Sequence, residues 1–355
     1  MRPAARRVRS WRRPQPWRHG RHVAVAVVSV LAATARTMSA APLDVCHAGS
    51  VQAAFSQVEK EFTRQHPAIQ IHDVSGGSVA LAGRMAAGMQ PCDVFAAADY
   101  LDIDRLLKPQ GLADYTVVFA KGRMVLAYLA SDPAARGVAA SEEFKPPASI
   151  PAAAADWYRR LLEPGVRISG SHPFLDPSGY RAHMIFNLAE RFYRVPNLAN
   201  LLLEHYSIVP ADAGAGRTLG KDFNFQLIYE HSAAAAARTN PAYRYTALPD
   251  RLDLSNAGLN TEYAKAVVTM PGLSVSAAPT SIPASRVAWG VTIPTSSKEP
   301  AAAVAFLELL LGPVGTAALT ADGPAPIAPP FVSRRDYTRL PHAVQPLVAA
   351  GSNPP

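Results

Sequence analysis

The sequence predicts an α/β protein of two lobes, in which the first lobe is built from both ends of the chain and the second is inserted between them. Strand-like and helix-like segments alternate along residues 43–99, a pattern typical of a parallel sheet with helical connections. Two long β-rich runs, residues 115–129 and 286–293, bracket the middle of the chain. The length of 355 residues, 49% of them hydrophobic, allows a core in each of about two domains. We therefore expect a ligand cleft between the lobes.

Residues 1–41 have the pattern of a secretory signal peptide. An arginine-rich start is followed by the apolar stretch 23–35 and then by small residues at Ser39-Ala40-Ala41. The apolar stretch is short for a membrane span. We expect the mature chain to be periplasmic or otherwise exported.

The formal net charge of +8 belongs to this leader. Residues 1–41 contain nine arginines and no lysine, aspartate or glutamate, so the remaining chain is close to neutral. The rest of the chain therefore carries no excess of positive charge that would favour binding to nucleic acid.

The first predicted elements alternate as the fold requires. Residues 43–48 form a strand, and the helix after it shows apolar residues at every third or fourth position up to Phe62. Residues 69–74 form the second strand, which leads through glycine into a second helix. Residues 93–97 form the third strand, and Asp99 is placed to cap the helix that follows.

The middle and end of the chain supply the remaining elements. The β-rich run 115–129 is long enough to cross between lobes, and the chain is predicted to divide into lobe 1 (42–118 plus 288–355) and lobe 2 (119–287). From Pro324 the sequence is proline-rich, and we expect its last ten or so residues to be mobile. The other predicted elements are strands at 166–171, 225–230, 243–248, 265–269 and 286–293, and helices at 178–194 and 300–311.

Two glycine–serine pairs stand where predicted strands turn into helices. They are Gly49-Ser50 and Gly77-Ser78. Such turns lie at the carboxyl edge of a parallel sheet, where ligands bind. A helix start offers unpaired N–H groups to an anion, and serine adds a hydroxyl donor. Alternatively, both serines only cap their helices.

A third candidate is Asp176, which begins the segment DPSGYR just before a helix. It is either a ligand-binding carboxylate or a helix cap. Tyr180 and Arg181 in the same segment serve either the ligand or the structure.

The two cysteines, Cys46 and Cys92, carry no metal-binding pattern. The chain has no CxxC, no HExxH and no Cys/His cluster with zinc spacing. An oxidising compartment permits a disulfide between them. Buried thiols are the simpler interpretation, because both lie near predicted core strands.

The motifs, taken in order, resemble one family over nearly the whole mature chain. It is the type II periplasmic solute-binding proteins that serve ABC importers for molybdate and tungstate, in particular the branch associated with archaeal tungstate uptake. The segments that carry the resemblance are His47–Ser50, Gly76–Ser78, Asp93–Tyr100, Ala113–Tyr128, Asp176–Arg181, Leu248–Leu254 and Gly290–Pro300.

The resemblance implies two α/β lobes, joined by two crossover strands, that close over an oxyanion. It implies that the turns at Gly49-Ser50 and Gly77-Ser78 hold oxygens of the anion and that Asp176 approaches its molybdenum or tungsten, with Tyr180 as a further contact. A carboxylate repels a dianion unless it is protonated or bonded to the metal, so Asp176 would select against sulfate. A membrane permease is the implied partner, the protein is expected to be a monomer, and neither a resident cofactor nor catalysis is implied.

The sequence departs from the family at two places. Ser178 stands where the family has cysteine. Residues 210–222, where the family carries a second acidic ligand of the metal, appear shortened and hold no matching glutamate. The nearest match to the family's cleft tyrosine is Tyr229-Glu230, so Glu230 is the candidate replacement for the missing carboxylate.

Two other functions remain open from the sequence. The same fold could bind sulfate, phosphate or a small organic anion. A periplasmic enzyme with a serine nucleophile would need a base beside Ser50 or Ser78, and only His47 lies close in sequence.

Overall fold

The structure is a computed structural model that describes residues 41–136, 138, 152–209, 218–270 and 279–352. Residues 1–40 of the predicted signal peptide lie outside this set. So do residues 210–217, which form most of the segment where the family carries its second acidic ligand.

The described strands are numbered in chain order. They are β1 (Leu43–Ala48), β2 (Ile71–Gly76), β3 (Val94–Ala97), β4 (Val117–Lys121), β5 (Met124–Leu129), β6 (Ile168–Ser171), β7 (Tyr206–Val209), β8 (Phe225–Tyr229), β9 (Tyr243–Ala247), β10 (Val267–Met270), β11 (Thr280–Pro283), β12 (Ala288–Thr292), β13 (Ala325–Ser333) and β14 (Ala349–Gly351).

The described α-helices are numbered in the same way. They are α1 (Gln52–Gln65), α2 (Ser78–Ala86), α3 (Tyr100–Asp102), α4 (Ala152–Leu161), α5 (Pro177–Tyr193), α6 (Leu198–Glu204), α7 (Glu230–Thr239), α8 (Asn260–Tyr263), α9 (Pro300–Leu311), α10 (Pro313–Asp322) and α11 (Arg334–Tyr337). None of these described helices is by itself long and apolar enough to cross a membrane; α9 and α10 reach that length only together, bent by 60°.

The first sheet takes its strands from both ends of the chain. Its order is β14-β13-β4-β12-β3-β1-β2. β1 pairs in parallel with β2 and β3, as the alternating pattern of residues 43–99 predicts, whereas β12 runs antiparallel to β3 and β4. Helices pack against this sheet through aromatic contacts: Phe55 of α1 touches Phe119 of β4 and Phe306 of α9.

The second sheet is built from the middle of the chain, in the order β7-β6-β8-β5-β9. β6 pairs in parallel with β7 and β8, and β5 runs antiparallel to β8 and β9. β10 and β11 form a separate antiparallel ribbon. The two-lobed α/β fold is confirmed, while the lobe boundaries stay a prediction.

The run 115–129 divides between the two sheets. It breaks at Gly122-Arg123, with β4 before the break in the first sheet and β5 after it in the second. Gly122 lies against Trp289, whose ring carbon Cζ3 would be 3.0 Å from a Cβ at that position. Glycine therefore allows the crossing strand to pass close to the indole.

The prediction that the last ten or so residues are mobile is wrong for residues 349–351, which form β14; residues 353–355 lie outside the described set. β13 pairs with β4 at Ala325-Pro326 and again at Phe331-Val332, and β14 pairs with β13 at the edge of the sheet. The register shifts between Pro326 and Phe331, which removes the intervening prolines from the hydrogen-bonded ladder. This is how the sheet accepts residues that lack an N–H group.

The interpretation of the cysteines as buried thiols is also wrong. Cys46 and Cys92 form a disulfide, with their Cα atoms 5.7 Å apart. Cys46 lies in β1 and Cys92 stands two residues before β3, and the pairing of these two strands brings the thiols together.

Candidate functional site

The two glycine–serine turns lie side by side at the carboxyl edge of the first sheet. β1 and β2 are parallel neighbours, and their last residues, Ala48 and Gly76, stand opposite each other. The next residues are Gly49-Ser50, which begin a short 3₁₀ turn leading into α1, and Gly77-Ser78 at the start of α2. The structure thus places two helix starts together, as the sequence predicts.

Asp176 begins helix α5 at the carboxyl edge of the second sheet. Its carboxylate accepts hydrogen bonds from the backbone N–H and the hydroxyl of Ser178, both at 2.7 Å. Pro177 occupies the first helical turn, where its missing N–H costs nothing. Asp176 is therefore the N-cap of α5, and this role leaves its second carboxylate oxygen without a described hydrogen bond.

The two edges face each other in close contact. The Ala80 N–H of α2 donates to the carbonyl of Leu175 at 3.1 Å, across the two lobes. A Cβ added at Gly77 would lie 2.4 Å from that carbonyl oxygen and 3.3 Å from the Cβ of Asp176. Asp176 therefore sits directly against the Gly77-Ser78 turn.

Burial raises the pKa of Asp176 above its usual value, although hydrogen bonds from Ser178 and the charge of Arg181 act in the opposite direction. The charged carboxylate is therefore incompletely compensated. Such a group favours a proton or a bond to an electropositive centre.

Ser50 and Ser78 each use the hydroxyl oxygen as an acceptor. Ser50 Oγ accepts from the indole N–H of Trp289 at 2.9 Å, and Ser78 Oγ accepts from the backbone N–H of Ala98 at 2.9 Å. Within the described residues neither hydroxyl proton has a recorded acceptor. Because a hydroxyl has one proton to donate, both serines retain a donor for an anion.

Tyr229 and Arg181 close the site from the second lobe. Arg181 is 1% exposed. Its Nη1 donates to Tyr229 Oη and to the carbonyl of Ala98, both at 2.7 Å. The ring of Tyr229 meets Trp289 edge to face, with centroids 4.9 Å apart. The buried guanidinium also forms an ion pair with Asp99, its Nη2 lying 3.6 Å from a carboxylate oxygen, so it joins Tyr229 to the first lobe.

The histidines near Ser50 are not placed to activate its hydroxyl. His231 Nε2 lies 2.8 Å from the carbonyl oxygen of Ser50, so that nitrogen carries the proton. Burial lowers the pKa of His231 to about 4, which keeps the ring neutral. The two ring nitrogens of His47 contact Ala48 O and Asp73 instead. Among the described residues, no histidine lies within hydrogen-bond distance of the hydroxyl of Ser50 or Ser78.

Tyr180 lies in a buried polar cluster. Its hydroxyl donates to Asp99 at 2.6 Å, and Arg105 forms an ion pair with Asp102 at 2.7 Å beside it. Although burial opposes ionisation, Arg181 and Arg105 lower the pKa of Asp99. Tyr180 therefore joins α5 to the first lobe, which favours the structural alternative for this residue. Asp99 also caps α3 through the Leu101 N–H, as predicted.

Replacing Tyr180 with phenylalanine is expected to lower the free energy of unfolding by about 1–3 kcal/mol. The hydroxyl is fully buried, and its loss leaves Asp99 short of a donor. Urea denaturation followed by circular dichroism would measure the change. An unaltered unfolding midpoint would contradict the structural role, and Tyr245→Phe, on a partly exposed ring of β9, serves as the control.

Glu230 is held away from the other predicted residues. Its carboxylate pairs with Arg123 at 3.3 Å and lines a cavity together with Lys121 and Arg286. Within the described part of the chain, no hydrogen bond or ion pair joins it to Asp176 or to either serine. Of the eight predicted positions, the structure brings Gly49, Ser50, Gly77, Ser78, Asp176 and Tyr229 to the facing edges.

Sequence reasoning missed the roles of Trp289, His231 and the backbone of Ala98. Trp289 lies inside a segment that reads only as a buried strand. His231 directly follows Tyr229, but nothing in the sequence indicates that its ring reaches the carbonyl of Ser50. Both side chains reach Ser50 from positions far away in the chain, so only the folded structure shows these contacts.

The chain resembles known solute-binding proteins over most of its length. Residues 43–323 match the family model for bacterial extracellular solute-binding protein. A solute-binding protein of Methanoculleus marisnigri is 30% identical over 86% of both chains. The molybdate/tungstate-binding protein WtpA of Thermococcus kodakarensis is 25% identical over 77% of this chain and 78% of its own.

Solved structures share the fold. The periplasmic molybdate-binding protein of Azotobacter vinelandii matches with a TM-score of 0.54 and 18% identity, over 81% of this chain and 99% of its own. The sulfate-binding protein SubI of Mycobacterium tuberculosis matches with a TM-score of 0.55 and 15% identity, over 81% of this chain and 88% of its own. At these identities the likeness concerns the fold alone.

Proposed function

Because the chain belongs to the bacterial extracellular solute-binding proteins, we propose that it captures a tetrahedral oxyanion, tungstate or molybdate. Proteins of this type deliver their ligand to an ABC importer. The proposal concerns the ligand and the residues that bind it. It also includes export of the chain, with cleavage after residue 41, and a monomeric state.

The observation that carries the proposal is the position of Asp176 against the Gly77-Ser78 turn. A carboxylate at that point repels sulfate, whose sulfur accepts no further ligand. Molybdenum and tungsten can expand their coordination and accept a carboxylate oxygen. Burial raises the pKa of Asp176 despite its bonds from Ser178, which supports a carboxylate whose charge is incompletely compensated.

The hydrogen-bond donors beside Asp176 suit the oxygens of the anion. The hydroxyl protons of Ser50 and Ser78 are available, and the starts of α1 and α2 add backbone N–H groups with a partial positive charge. Closure of the lobes removes water, so each neutral hydrogen bond contributes more.

Contacts between the lobes define the closed form that an importer would recognise. Leu175 meets α2, Arg181 meets Ala98, and Tyr180 meets Asp99. Hinge closure around a ligand is a general mode of switching in two-lobed binding proteins. Glu230, the candidate second carboxylate, would have to leave Arg123 to reach the anion.

Titration calorimetry of the exported protein tests the ligand. We expect tight binding of tungstate and molybdate, and no displacement by an excess of sulfate, since Asp176 selects for the metal centre. Displacement by sulfate would contradict this mode of recognition. Absence of heat with both oxyanions, on a protein with a cooperative thermal transition, would contradict the ligand assignment.

A second candidate keeps the fold and changes the ligand to sulfate, phosphate or a small organic anion. The pairing of Glu230 with Arg123 favours it, because a single carboxylate then approaches the anion. Displacement by sulfate in the calorimetric competition is the result expected for this alternative.

A further inference from the structure

Three potential metal ligands converge outside the cleft, on the first lobe. They are His47 of β1, Glu59 of α1 and Asp73 of β2, and their ligand atoms all lie within 4.8 Å of one another. His47 Nε2 and Asp73 Oδ1 are 2.7 Å apart. A histidine with two carboxylates is a donor set that zinc accepts.

The strand register explains the convergence. Asp73 stands opposite Val45 and His47 stands opposite Ser75, so both side chains point to the same face of the sheet. Helix α1 covers this face, and the ring of its Phe55 lies 4.8 Å from the ring of His47. Glu59 follows Phe55 by one helical turn and completes the group.

The hydrogen bonds of His47 leave a ligand nitrogen aimed at the carboxylates. Nδ1 lies 2.9 Å from the carbonyl of Ala48, which can only accept, so Nδ1 carries a proton. Metal-bound histidines are commonly oriented in this way by their other ring nitrogen. Nε2 is therefore the nitrogen directed at Asp73, where it either donates to the carboxylate from a protonated ring or binds a cation together with it. Gln52 Nε2 fixes the other oxygen of Asp73 at 2.7 Å.

Glu59 contributes an oxygen that has no partner. Its Oε1 is buried and makes no hydrogen bond among the described residues. An oxygen without a partner, beside a second carboxylate and a histidine, is suited to a bound cation.

We propose that His47, Glu59 and Asp73 form a zinc site, with water as the fourth ligand. Zinc bonds of about 2.0–2.2 Å place tetrahedral ligands about 3.3 Å apart. Rotation about the side-chain bonds of Glu59, together with a small movement of His47 away from Asp73, would bring the three ligand atoms to this spacing. The imidazole ligand disfavours calcium and magnesium, which prefer an all-oxygen shell.

The site joins β1 and α1, which lead into and out of the Ser50 turn, to β2, which leads into the Ser78 turn. Bound zinc would stabilise the folded first lobe, because the ligands are brought together only by folding. The site is separate from the cleft, so its existence does not depend on which anion the protein carries.

Calorimetry with zinc chloride on the exported protein, in the absence of oxyanion, tests the proposal. We expect one zinc per chain, a thermal midpoint that rises with zinc, and much weaker heats with magnesium or calcium. Glu59→Gln is expected to weaken zinc binding by about tenfold or more, and Asp73→Asn provides a second variant should the first fail to fold.

The chain offers a matched control on the opposite face of the same two strands. His72 and Asp44 also form a 2.7 Å pair, but among the described residues no third metal ligand completes a group with them. Asp44→Asn should leave zinc affinity unchanged. No zinc binding by the folded protein, unchanged affinity in both Glu59→Gln and Asp73→Asn, or an equal loss in Asp44→Asn would overturn the proposal.

Discussion

Replacement of Asp176 with asparagine is expected to weaken tungstate binding by at least about 100-fold. Asparagine preserves the size of the side chain and an oxygen for the Ser178 N–H, so helix α5 should still begin at the same residue. It removes the charge that bonds the metal. Even partners of metal ligands are commonly worth about 10- to 100-fold in affinity, and a direct ligand should be worth more.

The same variant should gain relative affinity for sulfate. Removing the carboxylate removes its repulsion of an anion that cannot bond to it. Calorimetry with tungstate and with sulfate would measure both changes, and their opposite direction separates lost recognition from lost folding. Tungstate affinity that stays within a factor of about three in Asp176→Asn would contradict metal-directed binding.

Asp132→Asn is the matched control for this substitution. Asp132 also precedes a proline and caps a short helix, here through the Ala134 N–H at 2.9 Å. It follows β5, which runs antiparallel to β8, so it lies at the opposite edge of the second sheet from Asp176. Its replacement should leave oxyanion affinity unchanged.

Alanine at position 77 is expected to prevent closure of the lobes and to reduce oxyanion affinity by at least about 100-fold. Gly77 has a φ of −68°, which suits any residue, so the added methyl group strains no local backbone. The methyl carbon would instead lie 2.4 Å from the carbonyl oxygen of Leu175 on the other lobe. Because neither the added methyl carbon nor the carbonyl oxygen is the end of a flexible side chain, the two lobes have to move apart at this point.

Small-angle scattering with and without ligand would follow closure, and calorimetry would follow affinity. Gly76→Ala is the control, since its methyl group would meet only the side chain of Leu81 at 3.5 Å, an ordinary contact. A cooperative thermal transition of each ligand-free variant would confirm that it folds. Normal closure and affinity in Gly77→Ala would show that the ligand-bound protein lacks the contact between Gly77 and Leu175.

Local patterns predicted the parts of the site that each lobe supplies. The glycine–serine turns follow from strand-then-helix periodicity, and the start of α5 follows from an aspartate and a proline before an amphipathic segment. Parallel neighbouring strands end at the same edge of a sheet, so the sequence also predicted that the two serine turns lie side by side. Which side chains meet at Ser50 could not be predicted, since Trp289 lies 239 residues from Ser50 along the chain.

The sequence by itself determined the α/β class, the family and the two edges that bear the candidate ligands, because these depend on periodicity and on short motifs. Tertiary structure alone decided the disulfide of Cys46 with Cys92, the incorporation of the proline-rich end into the sheet, and the pairing of Glu230 with Arg123. It also decided that His47 meets Glu59 and Asp73. The physical reason is common to all four: each depends on strand order, register or helix placement, which are set by packing over the whole lobe rather than by neighbours in the chain.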